Sequence, residues 1–310
     1  MIMKNILVLT DFSIKAACAA EFAMHLAIKT RTNLLLCHAV EHALPITQEI
    51  EFSWLPINNE WENDCLAELK VVKRNLEEVV VQYNSDCFKP NITYTCATGT
   101  ITSVTSRILK KNTVGLIVCG SHKANNLFRF FSESHSHAIM DNINCPVLFI
   151  PEGLKFKGVE NITYATDLSF NNSKVIPYLA KLAVPLNAGL AVNHISVGEF
   201  SSIVPDRSIT YALRKLLVDD LPALSYHCIQ HVDVRAALLE MTSSGTTGIL
   251  VLVHKKYDFM ERLLNYSMSK HLSGRAQIPL LILPFDFSQD TADITEEELE
   301  HYCYDAADLR

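Results

Sequence analysis

This chain is written twice, and that repetition constrains its fold more than any other feature. Slid along itself by 156 residues, the sequence brings Asn5-Ile6 onto Asn161-Ile162, Thr10-Asp11 onto Thr166-Asp167 and Ser13 onto Ser169. The same ungapped shift brings Leu26-Ala27 onto Leu182-Ala183 and His38 onto His194. Farther along, the offset becomes 133, which sets Arg129 on Arg262, Ser134 on Ser267 and Cys145-Pro146 on Ile278-Pro279. The difference of 23 residues is extra chain in the first copy, in the stretch EHALPITQEIEFSWLPINNEW that holds both Trp54 and Trp61. We therefore expect a first domain at 1–151 with an insertion at about 41–62, a second at 158–287, and an acidic tail at 288–310. A length of 310 residues fits two domains.

Each copy alternates short apolar runs with helical patterns. NILVLTD is too short for a helix and is bounded by polar residues, as a buried strand is. Ser13 can cap the helix that follows, where Ala16, Ala20, Ala23 and Ala27 recur at helical spacing. NLLLCHAV, ITYTCAT, VGLIVCG and PVLFIP read as strands two to five, with LAELKVVKRNLEEVVVQY and SVTSRILKKN as helices between them. The second copy repeats the scheme with ITYATD, AGLAVNHI, LSYHCIQ, GILVLVH and IPLLILP. Strands separated by helices imply right-handed crossovers, hence two mainly parallel five-stranded sheets with helices on both faces. Pro177 is tolerated only near a helix start, so the first helix of copy two is expected to begin late, near Ser173. In the tail, Thr295 with Glu298 makes a capping box for a short helix.

Composition excludes several classes. The longest apolar runs, such as IPLLILP, fall far short of the roughly 18 residues of a membrane span. No signal-peptide pattern opens the chain, which points to a cytoplasmic protein. The net charge of −7 resides in residues 290–310, so the body is near neutral and lacks the basic footprint of a nucleic-acid binder. Nine cysteines form no CxxC pair, and several fall inside strands as small hydrophobes, so neither zinc nor disulfides are expected. His135 and His137 sit two apart on a helical stretch and point to different faces, which is poor ligand geometry, so no metal is expected. Neither a nucleophile elbow, nor HExxH, nor a P-loop lysine motif is present, and no catalytic residue is assigned. The insertion, with Phe52, Leu55, Pro56 and Ile57 beside its tryptophans, should cover something apolar.

A unit that opens with ILVLTDFS and closes with GSH, SES and CPVLFIP resembles the universal stress protein family, and does so in two tandem copies over nearly the whole chain. The resemblance implies an adenine nucleotide alpha hydrolase-like α/β fold with strand order 3-2-1-4-5 in each copy. It also implies pairing of domains through their fifth strands, here within one chain, with a homodimer expected beyond that pair. Ligands of such a sheet bind at the carboxyl ends of strands one and four, where the order reverses. The candidate nucleotide crevice of domain 1 is therefore Thr10, Asp11, Ala39, Gly120, Lys123, Arg129 and Ser134. In nucleotide-binding members the aspartate matching Asp11 contacts the adenosine, and a loop of three glycines ending in serine or threonine closes on the phosphates. Here Gly120 and Ser134 match, but Lys123 and Glu133 replace the other two glycines, and Leu9 stands where many members have proline. In copy two Val253, Lys256 and Tyr266 replace all three glycines, leaving Asp167 and Ser267. Glutamate near a phosphate is unfavourable, and a helix-capping role for the aspartates needs no ligand. The first expectation is thus a non-catalytic stress-response or regulatory module that acts through self-association and an unidentified protein partner and requires no cofactor. The alternative is an ATP-binding regulatory module that uses the domain 1 crevice, with weak ATPase activity at most.

Overall fold

The structure, a computed structural model, describes residues 5–41, 60–121, 139–140, 142–166, 172–196, 223–231, 233–243, 245, 247–254 and 278–284. Along these residues the chain divides into two compact units, with the change between Phe156 and Lys157. The first unit runs β1 (Asn5–Leu9), α1 (Ile14–Thr30), β2 (Asn33–Val40), α2 (Glu60–Val81), β3 (Ile92–Thr98), α3 (Ile101–Lys111), β4 (Val114–Ser121) and β5 (Val147–Pro151). Its strands lie in the order β3-β2-β1-β4-β5, and every neighbouring pair is parallel. The second unit carries β6 (Asn161–Thr166), α4 (Asn172–Leu186), β7 (Gly189–Ser196), β8 (Leu224–Gln230), α5 (Val234–Ser243), β9 (Ile249–His254) and β10 (Leu280–Pro284). Its order, β8-β7-β6-β9-β10, is again 3-2-1-4-5 when counted within the unit, and all its pairs are parallel. The parallel α/β architecture read from the alternation is the one observed.

Local chemistry accounts for the elements. In β1, Ile6, Leu7 and Val8 are fully buried, as a strand covered by helices on both faces requires. Burial of each such side chain contributes about 1.5–3 kcal/mol. Helix α1 begins where the Ser13 side chain accepts from the Ala16 N–H, and it ends at Arg31, whose φ of 55° is a left-handed cap. Its buried Ala16, Ala19, Ala20, Ala23 and Ala27 let the helix lie close to the sheet. Gly120 is fixed by the same approach: a Cβ there would come within 2.8 Å of the Ala16 backbone nitrogen. Only a residue without a side chain leaves room for the first turn of α1 on β4.

Two sequence expectations need correction. Helix α2 begins at Glu60, so Trp61 belongs to its first turn and not to an insertion loop. The start escaped the amphipathic pattern because its first residues, Glu60 to Asp64, are mostly polar. Cys65 of α2 and Cys96 of β3 are joined as a disulfide, with Cα atoms 6.4 Å apart, although no spacing rule pointed to the pair. Helix α4 begins at Asn172, next to the expected start near Ser173, and this places Pro177 in its second turn, where the Ser173 carbonyl loses its helical N–H partner. Trp54, the capping box at Thr295 and the acidic tail lie outside the described residues. Among the described residues no helix is long and apolar enough to cross a membrane.

Candidate functional site

The carboxyl ends of β1, β2 and β4 carry four of the seven expected crevice residues. Leu9 pairs with Cys37 on one side and Cys119 on the other, so Thr10, Ala39 and Gly120 follow at the same end of the sheet. Thr10 is buried, and its N–H donates to the Cys37 carbonyl at 2.9 Å. The Thr10 carbonyl accepts from His38 Nδ1 at 2.7 Å, which sets that nitrogen as the protonated one. Ala39 is partly exposed, in register with Ala97 of β3. Lys123, Arg129 and Ser134 lie outside the described residues, as do Glu133, Asp167, Lys256, Tyr266, Ser267 and the histidines at 135 and 137.

The turn between β1 and α1 is built around Asp11. Its Oδ1 accepts from the Ser13 N–H at 3.1 Å and from the Ser13 hydroxyl, and its Oδ2 lies 3.6 Å from Lys15 Nζ. Burial pushes the Asp11 carboxyl up, but the Ser13 hydrogen bonds and the Lys15 ammonium outweigh it and hold the group below its ordinary value. Asp11 thereby orients Ser13, which in turn caps α1. Between them Phe12 adopts φ 60°, a left-handed conformation that a bulky side chain rarely takes. Its N–H donates to Thr10 Oγ1 at 3.1 Å, and its ring rests 4.5 Å from that of His38. Strained backbone of this kind costs of order 1–3 kcal/mol and persists only where its surroundings over-determine it.

Phe12, Lys15 and His38 thus belong to the site beside the expected residues. Lys15 stands four residues after Asp11, the helical ion-pair spacing, so it was readable in the sequence. The conformation of Phe12 had no sequence signal. The buried thiols of Cys37 and Cys119 are pushed up to about 12 by burial, which leaves them protonated and inert beside the crevice.

In the second unit the same corner differs. Val253 occupies the position of Gly120 and is buried at the end of β9. His194 matches His38, but its Nδ1 lies 3.7 Å from Cys228 Sγ. Cys228 is the register counterpart of Cys96, which in the first unit is bonded to Cys65.

Comparison with known families fits this geometry. Residues 3–151 match the model described as the universal stress protein family. The N-terminal half of this chain belongs to that family. Among solved structures, a universal stress protein from Archaeoglobus fulgidus is 11% identical, covers 91% of this chain and 96% of its own, and superposes with a TM-score of 0.59. A putative universal stress protein from Pseudomonas aeruginosa is 14% identical, covers 98% of both chains and reaches a TM-score of 0.53. At such identities the likeness shows the fold alone, but it extends over both units. No curated protein matches the chain at a significant level. Membership of residues 3–151 in that family supports a stress-response module.

Proposed function

We propose that this chain is a tandem universal stress protein, a non-catalytic regulatory module that works in the cytoplasm through self-association and a protein partner. On this reading the two copies pair through their fifth strands, the chain forms a homodimer, and no cofactor is required. The observation that supports it is the commitment of the Asp11 carboxylate to Ser13 and Lys15, where it organises the start of α1 without a ligand. Calorimetric titration of the full chain with ATP tests it. Silence at millimolar ATP is expected, and micromolar binding that disappears in Asp11→Asn would overturn it. Light scattering after size exclusion tests the assembly: a dimer is expected, and a strict monomer at working concentration counts against it.

One observation favours the second reading, in which the domain 1 crevice binds ATP with weak hydrolysis at most. Phe12 is held at positive φ against the carboxyl end of the sheet, the kind of strain that clusters at ligand sites. Thr10, Asp11, Ala39 and Gly120 would then meet the nucleoside, with Lys123, Arg129 and Ser134 supplying the phosphate contacts. Copy two, with Val253 at the first glycine position, would stay empty.

A further inference from the structure

In the second unit, the sheet face beneath α5 encloses a polar cavity of ≈230 Å³. Two of its hydroxyls are linked: Thr163 Oγ1 donates to Thr247 Oγ1 at 3.3 Å, and Thr247 Oγ1 donates to the Met241 carbonyl at 3.0 Å. Asn193 of β7, only 8% exposed, lines the same space, and its Oδ1 has no hydrogen-bond partner among the described residues. Ser225 and His227 continue the lining along β8, the edge strand of the unit, where His227 is exposed. The cavity therefore meets solvent at that edge. Asn161 at the amino end of β6 also lines it, so it is separate from the carboxyl-end crevice.

The first unit shows that the fold does not require this hollow. The repeat places Leu7, Leu35 and Cys37 where the second unit has Thr163, Ala191 and Asn193, and all three are buried. Strand register places Thr95 opposite His227, and the later offset places Val114 opposite Thr247. At three of these positions the second copy has exchanged an apolar side chain for a polar one, Leu7 for Thr163, Cys37 for Asn193 and Val114 for Thr247, and a buried carbonyl left without a donor is unfavourable. A space of ≈230 Å³ admits about seven waters at roughly 30 Å³ each, or one small molecule in their place.

We propose that this cavity binds a small uncharged polyol or sugar. No charged side chain lines it among the described residues, so it offers nothing to a phosphate or carboxylate. Its hydroxyls and amides both donate and accept, which suits a ligand made of hydroxyl groups. The Thr163 hydroxyl, already donating to Thr247, keeps its lone pairs for a donor from the ligand. His227 on the rim is the one aromatic ring among the described lining residues, so a flat base would lack a stacking surface.

Calorimetry of the full chain with ribose, glucose and sorbitol, and with inorganic phosphate as a charged control, tests the site. Saturable binding of at least one neutral probe and none of phosphate is expected. Asn193→Leu and Thr163→Val should each weaken that binding roughly tenfold or more. Asp11→Asn, at the other site, should leave it unchanged. Thr163→Val keeps the side-chain volume, so it carries the test even if Asn193→Leu fails to fold. Three results would overturn the proposal: no heat with any neutral probe, which means a water-filled cavity only; phosphate binding in their place; or equal responses in wild type and folded variants, the mark of general polyol exclusion.

Discussion

The two units share one strand order and fill it with different side chains. At equivalent places on one sheet face, the first has Leu7, Leu35 and Val114, and the second has Thr163, Ala191 and Thr247. At the carboxyl corner the contrast reverses. There the first unit has a glycine pressed against the backbone of α1 and a strained turn, Gly120 and Phe12, and the second has the buried side chain of Val253. The two units thus differ at both ends of the sheet. The difference teaches that a repeat conserves strand order through its periodicity, while ligand chemistry depends on single substitutions at positions the periodicity leaves open.

The comparison can be broken most directly by moving residues across it. Leu7→Thr should destabilise the first unit by about 3–5 kcal/mol, because it opens space and buries a hydroxyl with no partner. Thr163→Leu in the second unit should cost far less, since its cavity accepts the added volume. Paired urea titrations of the two variants measure this, and equal losses would contradict the contrast between filled and hollow faces. Cys65→Ser should lower the stability of the first unit by roughly 3–4 kcal/mol through loss of the bond to Cys96, 31 residues away. Dithiothreitol should reproduce that shift in the wild type and leave the variant unchanged.

Gly120→Ala should cost about 1–3 kcal/mol, since the added methyl meets the backbone of Lys15 and Ala16. Val253→Ala, at the equivalent position, removes volume without such a clash; a similar loss from both would show that Gly120 is not there for close packing. The smallest effect is in the pH profile. His25 stacks on Phe156 at 4.5 Å, and its Nδ1 lies 2.6 Å from the Tyr83 hydroxyl. Burial lowers its pKa below the ordinary 6.5, against the opposing pull of Glu21. The folded state therefore disfavours the protonated ring, so stability is complete above 6.5 and falls as pH drops below that value through the folded one. Position 181, its counterpart in the second unit, is lysine, so the loss should be confined to the first. Thermal melts from pH 7 downward should show a slope that His25→Gln flattens.

The placement of Thr10, Asp11 and Gly120 at one end of the sheet was legible in the sequence. Thr10-Asp11 ends the first strand, Gly120 ends the fourth, and strand order alone brings them to one crevice. The disulfide was not legible, because Cys65 and Cys96 belong to a helix and a strand whose juxtaposition no spacing rule encodes. Nor was the start of α2, whose polar first turn hides from an amphipathic pattern.

By itself the sequence determined the repeat, the alternation of strand and helix and hence the parallel order in each copy, because burial on both faces leaves a periodic trace. Tertiary structure alone decided which side chains share a space. Thr163, Asn193 and His227 come from three strands separated by long connections, and only parallel register places them on one face. The reason is physical. Periodicity records how far a residue lies from water, whereas a site depends on which residues meet, and register and helix packing determine that.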